Sequence, residues 1–330
     1  MSESDPIQVA VVGAGNMGAN HIRVYDELSE ADLVEIVEPD PERAAEVREK
    51  YDVDVVDSVA DIERAVAASV AVPNELHRST AEALIEQELD VLVEKPLAMT
   101  VEDATAIVDI AKEHGAILQV GHIERFNPAV NTLREILQQQ EIIALESHRL
   151  GPFKQHLSEE SVIFDLMIHD LDVIASLVDI PVESINAYGA NPKSETVDHA
   201  VAQMQFENGV LGTLTASHVT HGKVRTLSIM TEVSYITLDY QKQDITIQQT
   251  GIEGTTSLVN QSGYRSETVT ESPYIHTREP LRIELEHFIS CVETRSAPMV
   301  DGEIGLKAVR LARTVAEGIR EHNTEKPNNV

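Results

Sequence analysis

The chain has 330 residues, enough for two domains at roughly 100–200 residues each. A hydrophobic content of 42% supports buried cores and argues against disorder. Asp and Glu number 56 against 25 Lys and Arg, and a formal net charge of −31 would repel duplex nucleic acid and anionic membranes.

In chain order, Ile7–Val12 is a β-branched apolar run, the pattern of a buried parallel strand. Glycines follow, and then a helical pattern from Asn16 to about Leu28. Leu33–Val37 reads as a second strand, and Asp40-Pro41 opens a helix with Pro41 near its first position. Val53–Val56, Ser69–Val72, Val91–Val93 and Ile117–Val120 continue the strands. Helices are expected over 77–87 and 101–114, the latter stopped by Gly115. Strands alternating with helices predict a doubly wound parallel sheet, hence an α/β domain over 1–122.

After about residue 122 the period changes. A helix is expected near 128–139 and another over 161–178. β-patterned segments fall at 142–149, 182–189, 199–206, 210–218, 224–231, 233–239 and 243–249, with a hairpin signal at Asn208-Gly209. Helices over 279–295 and 303–321 close the chain. Residues 123–330 are therefore expected to form an α+β domain with a mostly antiparallel sheet, and helix 303–321 is expected to pack back on the first domain.

The acids are dispersed rather than gathered in a tail, and only nine of the 25 basic residues are lysine. That pattern fits a cytoplasmic protein adapted to high salt, where the Debye length falls to about 3 Å in molar salt; binding of a basic partner is the alternative. The lone Cys291 excludes an internal disulfide and a cysteine-built metal site, and it fits a reducing compartment. Met1–Pro6 has no basic or apolar targeting pattern, and no apolar run reaches 18 residues, so a cytoplasmic location without a membrane partner is expected.

Gly13-Ala14-Gly15-Asn16-Met17-Gly18 matches G-x-G-x-x-G between a strand and a helix, the context that gives the motif meaning. The first glycine permits the tight turn, the second the approach of a pyrophosphate, and the third close helix–strand packing. Glu38, 20 residues after Gly18, can bond ribose hydroxyls and would repel a 2′-phosphate, so NAD is favoured over NADP. Arg43 nearby argues the other way, because an arginine can accommodate that phosphate. Lys95, within Glu94-Lys95-Pro96, follows a predicted strand on the ligand-binding edge of the sheet; a helix-flanking surface lysine is the plain alternative.

These residues, with Val72-Pro73-Asn74 and His77, Gly121–Pro128, Asp165-x-x-x-His169, and Glu279-Pro280-Leu281 with Glu284 and Phe288, resemble the glucose–fructose oxidoreductase / inositol dehydrogenase / MocA family over about residues 7–315. The resemblance implies a Rossmann domain followed by a domain with an open antiparallel sheet, NAD(P)-dependent oxidation or reduction of a sugar or cyclitol hydroxyl, and homodimers or homotetramers formed through the second-domain sheet. Gly121–Pro128, Val162–Asp172 and Arg149–Phe153 are most similar to a subgroup acting on UDP-N-acetylglucosamine at its 3-hydroxyl. One departure is that Lys154-Gln155-His156 stands where that subgroup leads one to expect an arginine.

Asp165 and His169, four apart on one predicted helix, share a face, so the carboxylate could orient the imidazole. His169 is then a candidate general base, and Lys95 a donor to the reacting oxygen. Val72, Pro73, Asn74, His77 and Glu94 are expected around the cofactor. Arg125 and Asn127 are expected in the pocket, or else as a turn and cap before Pro128. Arg149 and Lys154 are candidate partners of a substrate diphosphate, while Asp170 and Asp172 are expected to face solvent. A non-catalytic NAD-binding sensor is the rival from another class; it has no need of both Lys95 and His169.

Overall fold

The structure, a computed structural model, describes residues 5–153, 161–250 and 268–324. The chain divides into two compact units: Met1–Phe126 with Arg278–Arg313, and Asn127–Thr277 with Thr314–Val330. Among the described residues the first holds a parallel sheet of β1 (Ile7–Val12), β2 (Ala31–Val37), β3 (Asp54–Val56), β4 (Ala67–Val70), β5 (Asp90–Glu94) and β6 (Leu118–Gly121), in the order β3-β2-β1-β4-β5-β6. The strand order reverses between β1 and β4, which opens a crevice at their carboxyl ends.

Strand alternation builds two cores. Val9, Val11 and Leu92 face α1 (Asn16–Glu27) and α7 (Pro280–Thr294). Ala10, Val12, Val91 and Val93 share the other core with Leu84 of α3 (His77–Glu86), Ile107 of α4 (Val101–His114) and Leu306 of α8 (Gly302–Thr324). Helix ends follow local chemistry. Asp40 caps α2 (Pro41–Lys50) through the N–H groups of Glu42 and Arg43, and Pro41 occupies its first turn. Thr100 caps α4, and Gly115 closes it at φ +65°.

The unit boundary differs from a single cut near residue 122. α7 lies wholly in the first unit, and the boundary falls inside α8 after Arg313. Leu281, Leu285 and Phe288 of α7 are buried on the α1 face of the sheet. Chain order alone does not reveal which sheet face lacks a cover.

The second unit has α5 (Pro128–Leu137), α6 (Ile168–Val178), and β7 (Ile142–Leu150), β8 (Val182–Ala190), β9 (His199–Phe206), β10 (Leu211–Ser217), β11 (Val224–Thr231), β12 (Ser234–Asp239), β13 (Asp244–Thr250) and β14 (Thr268–Glu271). The sheet order is β14-β13-β12-β11-β7-β10-β9-β8, antiparallel apart from the β7–β10 pair. α5 and α6 cover one face, where Ala202, Leu214, Leu227 and Ile236 are buried. On the other face Tyr188, Leu211, Met230 and Tyr235 are exposed. β14 has no counterpart in the sequence reading, and a π-helical turn, Ile163–Met167, precedes α6. Among the described residues no helix is long and apolar enough to cross a membrane.

Candidate active site

In the first unit the expected cofactor residues gather at the carboxyl ends of β1, β2, β4 and β5. Gly13 sits at φ +92°, and a Cβ there would lie 2.7 Å from the Ala71 carbonyl oxygen. A Cβ on Gly18 would fall on the Gly13 carbonyl. Both glycines thus serve packing. Gly15 differs, because nothing lies within 4 Å of its missing Cβ. Gly15 also begins α1, whose first turn has no side-chain cap and no acid. In so acidic a chain this leaves an open helix N-terminus suited to a pyrophosphate. Asn16 and Met17 are exposed beside it.

Glu38 is buried at the end of β2. Its carboxylate accepts the Ala14 and Asp40 N–H groups, each at 2.9 Å, and Arg43 Nη2 at 3.1 Å. Burial opposes its charge, but Arg43 and the two backbone donors outweigh burial and hold it below the usual carboxylate range. Arg43 is thereby engaged by Glu38, on the side where a 2′-phosphate would need it.

His77 links two loops of this edge. Its Nδ1 lies 2.8 Å from the Pro96 carbonyl and its Nε2 3.1 Å from that of Val72. Burial lowers its pKa against the pull of both carbonyls, so the neutral ring donates to one of them. Pro73 and Asn74 flank the same loop, and Asn74 starts a 3-10 turn that leads into α3. Lys95 is half-buried after β5, and a cis peptide joins it to Pro96. The Glu94 carboxylate points inward: it bonds His21 Nε2 at 2.9 Å and accepts the Lys95 N–H at 3.2 Å.

In the second unit Asp165 lies in the π-helical turn, a feature frequent at functional sites. His218, just past β10, bonds its carboxylate at 2.8 Å. The sequence reading did not single out His218, which lies 53 residues away. His169 is half-buried in the first turn of α6.

Three expectations change. Asp170 and Asp172 are buried, not solvated. Arg149 is buried too: its Nε and Nη2 grip Asp170 at 2.8 and 3.0 Å, and its guanidinium stacks over the Tyr240 ring at 4.9 Å. That desolvated bidentate pair braces β7 against α6, a buried role that the sequence reading did not give Arg149. Asn127 caps α5 through the Ala129 N–H at 3.1 Å and donates to the Tyr240 carbonyl at the same distance, so the capping alternative describes its side chain. Arg125 is buried in a 3-10 turn, and Lys154 lies outside the described residues.

Comparison with known proteins gives this arrangement a lineage. The model of the oxidoreductase family with an NAD-binding Rossmann fold matches residues 7–122, and that of the GFO/IDH/MocA C-terminal domain matches 143–236. The chain belongs to the GFO/IDH/MocA oxidoreductase family. It is an NAD-dependent oxidoreductase acting on CH–OH groups. UDP-N-acetylglucosamine 3-dehydrogenase of Acidithiobacillus ferrooxidans is 30% identical, with 94% of this chain and 96% of that one covered. Inositol 2-dehydrogenase of Corynebacterium glutamicum is 33% identical over 63% of this chain and 66% of its own. Among solved structures, the A. ferrooxidans enzyme superposes with a TM-score of 0.86 at 28% identity, covering 96% of this chain and 98% of its own.

The GFO/IDH/MocA chain also holds residues that sequence reasoning did not place in the site. His21 and Glu284 are buried near Glu94, and Tyr240 underlies Arg149. A signal did exist for Glu284, an acid inside the apolar stripe of Leu281, Leu285 and Phe288.

Proposed function

We propose that this family member oxidises the 3-hydroxyl of UDP-N-acetylglucosamine to the 3-keto sugar. The observation that carries the reading is that length and identity of the likeness go together. It runs nearly the full length of both chains at 30% identity for the UDP-N-acetylglucosamine enzyme; the scyllo-inositol 2-dehydrogenase of Bacillus subtilis covers 89% of this chain at only 27%, and the likeness to the C. glutamicum inositol enzyme stops at about two-thirds. The second reading, a free sugar or cyclitol substrate, is favoured by the slightly higher identity within that shorter stretch.

Each residue then has one task. His169 takes the hydroxyl proton, and Asp165, held by His218, stabilises the imidazolium that forms. Lys95 donates a hydrogen bond to the same oxygen and favours its developing negative charge. Bound NAD supplies the hydride acceptor. Both ligands are anions facing a chain of net charge −31, so binding relies on local donors: the α1 N-terminus, Lys95 and, for the diphosphate, Lys154. The open sheet face bearing Tyr188, Leu211, Met230 and Tyr235 is assigned to contacts between copies, in a dimer or tetramer in the cytoplasm.

The test is turnover in molar KCl with NAD and, in turn, UDP-N-acetylglucosamine, UDP-glucose, glucose and myo-inositol. NADH formation is expected with the first. Turnover of glucose or myo-inositol, and none of UDP-N-acetylglucosamine, would assign the chain to the second reading.

A further inference from the structure

Beneath the end of β5 lies a buried cluster that the proposed chemistry does not use. Glu94, from β5, bonds His21 of α1 through one carboxylate oxygen and the Lys95 N–H through the other. β6 makes room for it: a Cβ on Gly121 would come within 3.0 Å of Glu94 Oε2. Glu284 of α7 is 0% exposed, and neither of its carboxylate oxygens has a hydrogen-bond partner among the described residues. Gln119 of β6 donates to the Glu284 backbone carbonyl at 3.1 Å.

Few charges reach this place. β1, packed against α7, has no titratable group. α1 brings His21 and Tyr25 inside and, at the surface, Arg23 and Glu27, which pair with Glu279 and Arg282. The adjoining 3-10 turn brings Glu124 and Arg125, the buried His122 precedes it after Gly121, and α7 itself carries His287 one turn on from Glu284. Burial opposes the charge on Glu94, but His21 and Lys95 hold it below the usual carboxylate range. Burial and the neighbouring Glu94 charge push Glu284 well above that range. Two buried carboxylates that feel each other's charge titrate as a pair.

We propose that Glu284 and His21 are positioning residues for Lys95, acting through Glu94, and that the Glu94–Glu284 pair works with one negative charge and one proton. A second charge on Glu284 would strengthen the cluster's pull on the Lys95 ammonium, which already interacts with Glu94, and draw it away from the reacting oxygen. Turnover then falls at alkaline pH as Glu284 ionises. This inference rests on the proposed role of Lys95 and not on which sugar is oxidised.

The test joins infrared spectroscopy to kinetics. The wild-type enzyme should show a carboxylic-acid carbonyl stretch at neutral pH that fades as pH rises, in step with the alkaline fall of kcat. Glu284→Gln should lose the band and move the alkaline limb to higher pH. His21→Asn should lower kcat by roughly tenfold to a hundredfold with the KM for NAD unchanged, because misplacement by about 1 Å costs that much. No acid band at neutral pH in the wild type, or an alkaline limb unmoved in Glu284→Gln, would overturn the inference. If that variant does not fold, the wild-type band must still fade with kcat; a band that persists while kcat falls is the contrary result. Failure of the Lys95 reading looks different: Lys95→Met would keep full turnover while the band and its titration remain.

Discussion

The carboxyl edge of the parallel sheet and the α6 end of the antiparallel sheet are made in opposite ways. The glycine loop of the first is backbone: Gly13, Gly15 and Gly18 act through missing side chains, and an uncapped helix N-terminus supplies the donors. The second is side chain against side chain across long sequence separations, Arg149 with Asp170 and His218 with Asp165. A region defined by absent atoms tolerates very little added there. A region defined by buried partners fails when one partner is removed. The two should therefore break differently.

The largest effect is expected at α6. His169→Asn should lower kcat by roughly 10²–10⁴-fold, the usual span for a lost general base, while NADH binding read by nicotinamide fluorescence persists. An unchanged kcat would take the general-base role away from His169. Next, Asp170→Ala strands a buried guanidinium and should cost about 3–5 kcal/mol in urea unfolding. Arg43→Ala, which removes an arginine side chain 52% exposed, is its control and should cost no more than ~1 kcal/mol. At the parallel sheet, Lys95→Met should lower kcat by roughly 10²–10³-fold with the melting temperature unchanged.

The glycines sharpen the contrast further. Gly18→Ala should lower the melting temperature, since its Cβ meets the Gly13 carbonyl. Gly15→Ala should leave melting unchanged and weaken NAD binding by roughly tenfold, about 1.4 kcal/mol. Equal effects of the two substitutions would erase the distinction between packing and cofactor glycines. The smallest effect should come from salt. Raising KCl from about 0.1 to 1 M shortens the Debye length from about 10 to about 3 Å, so melting temperature should rise as the −31 self-repulsion is screened.

How much the sequence revealed follows the same division. The parallel sheet, its glycine loop, Glu38 and Lys95 were legible because each is local: a strand, its turn and the next helix are contiguous in the chain. Apart from β14, the strands of the second sheet were legible from their β pattern, and helix bounds from Pro41 and Gly115. The return of α7 was not, since no local pattern says which sheet face a later helix covers. Nor was the fate of the charged residues around α6. Arg149, Asp170 and Asp172 look like surface groups until β7 and α6 are packed together, and the Asp165–His218 bond joins elements 53 residues apart. Asn127 shows the reverse case, where a cap before Pro128 could be read locally and the wider pattern pointed to the pocket.

The central claim is that a hydride leaves carbon 3 of a nucleotide-linked N-acetylglucosamine. It is tested most directly by supplying UDP-N-acetylglucosamine deuterated at carbon 3, with NAD, in molar KCl. Deuterium in the reduced cofactor, together with a 3-keto product, is the predicted result. Protium in the reduced cofactor, or no reduction with this substrate while myo-inositol or glucose is oxidised, would contradict it.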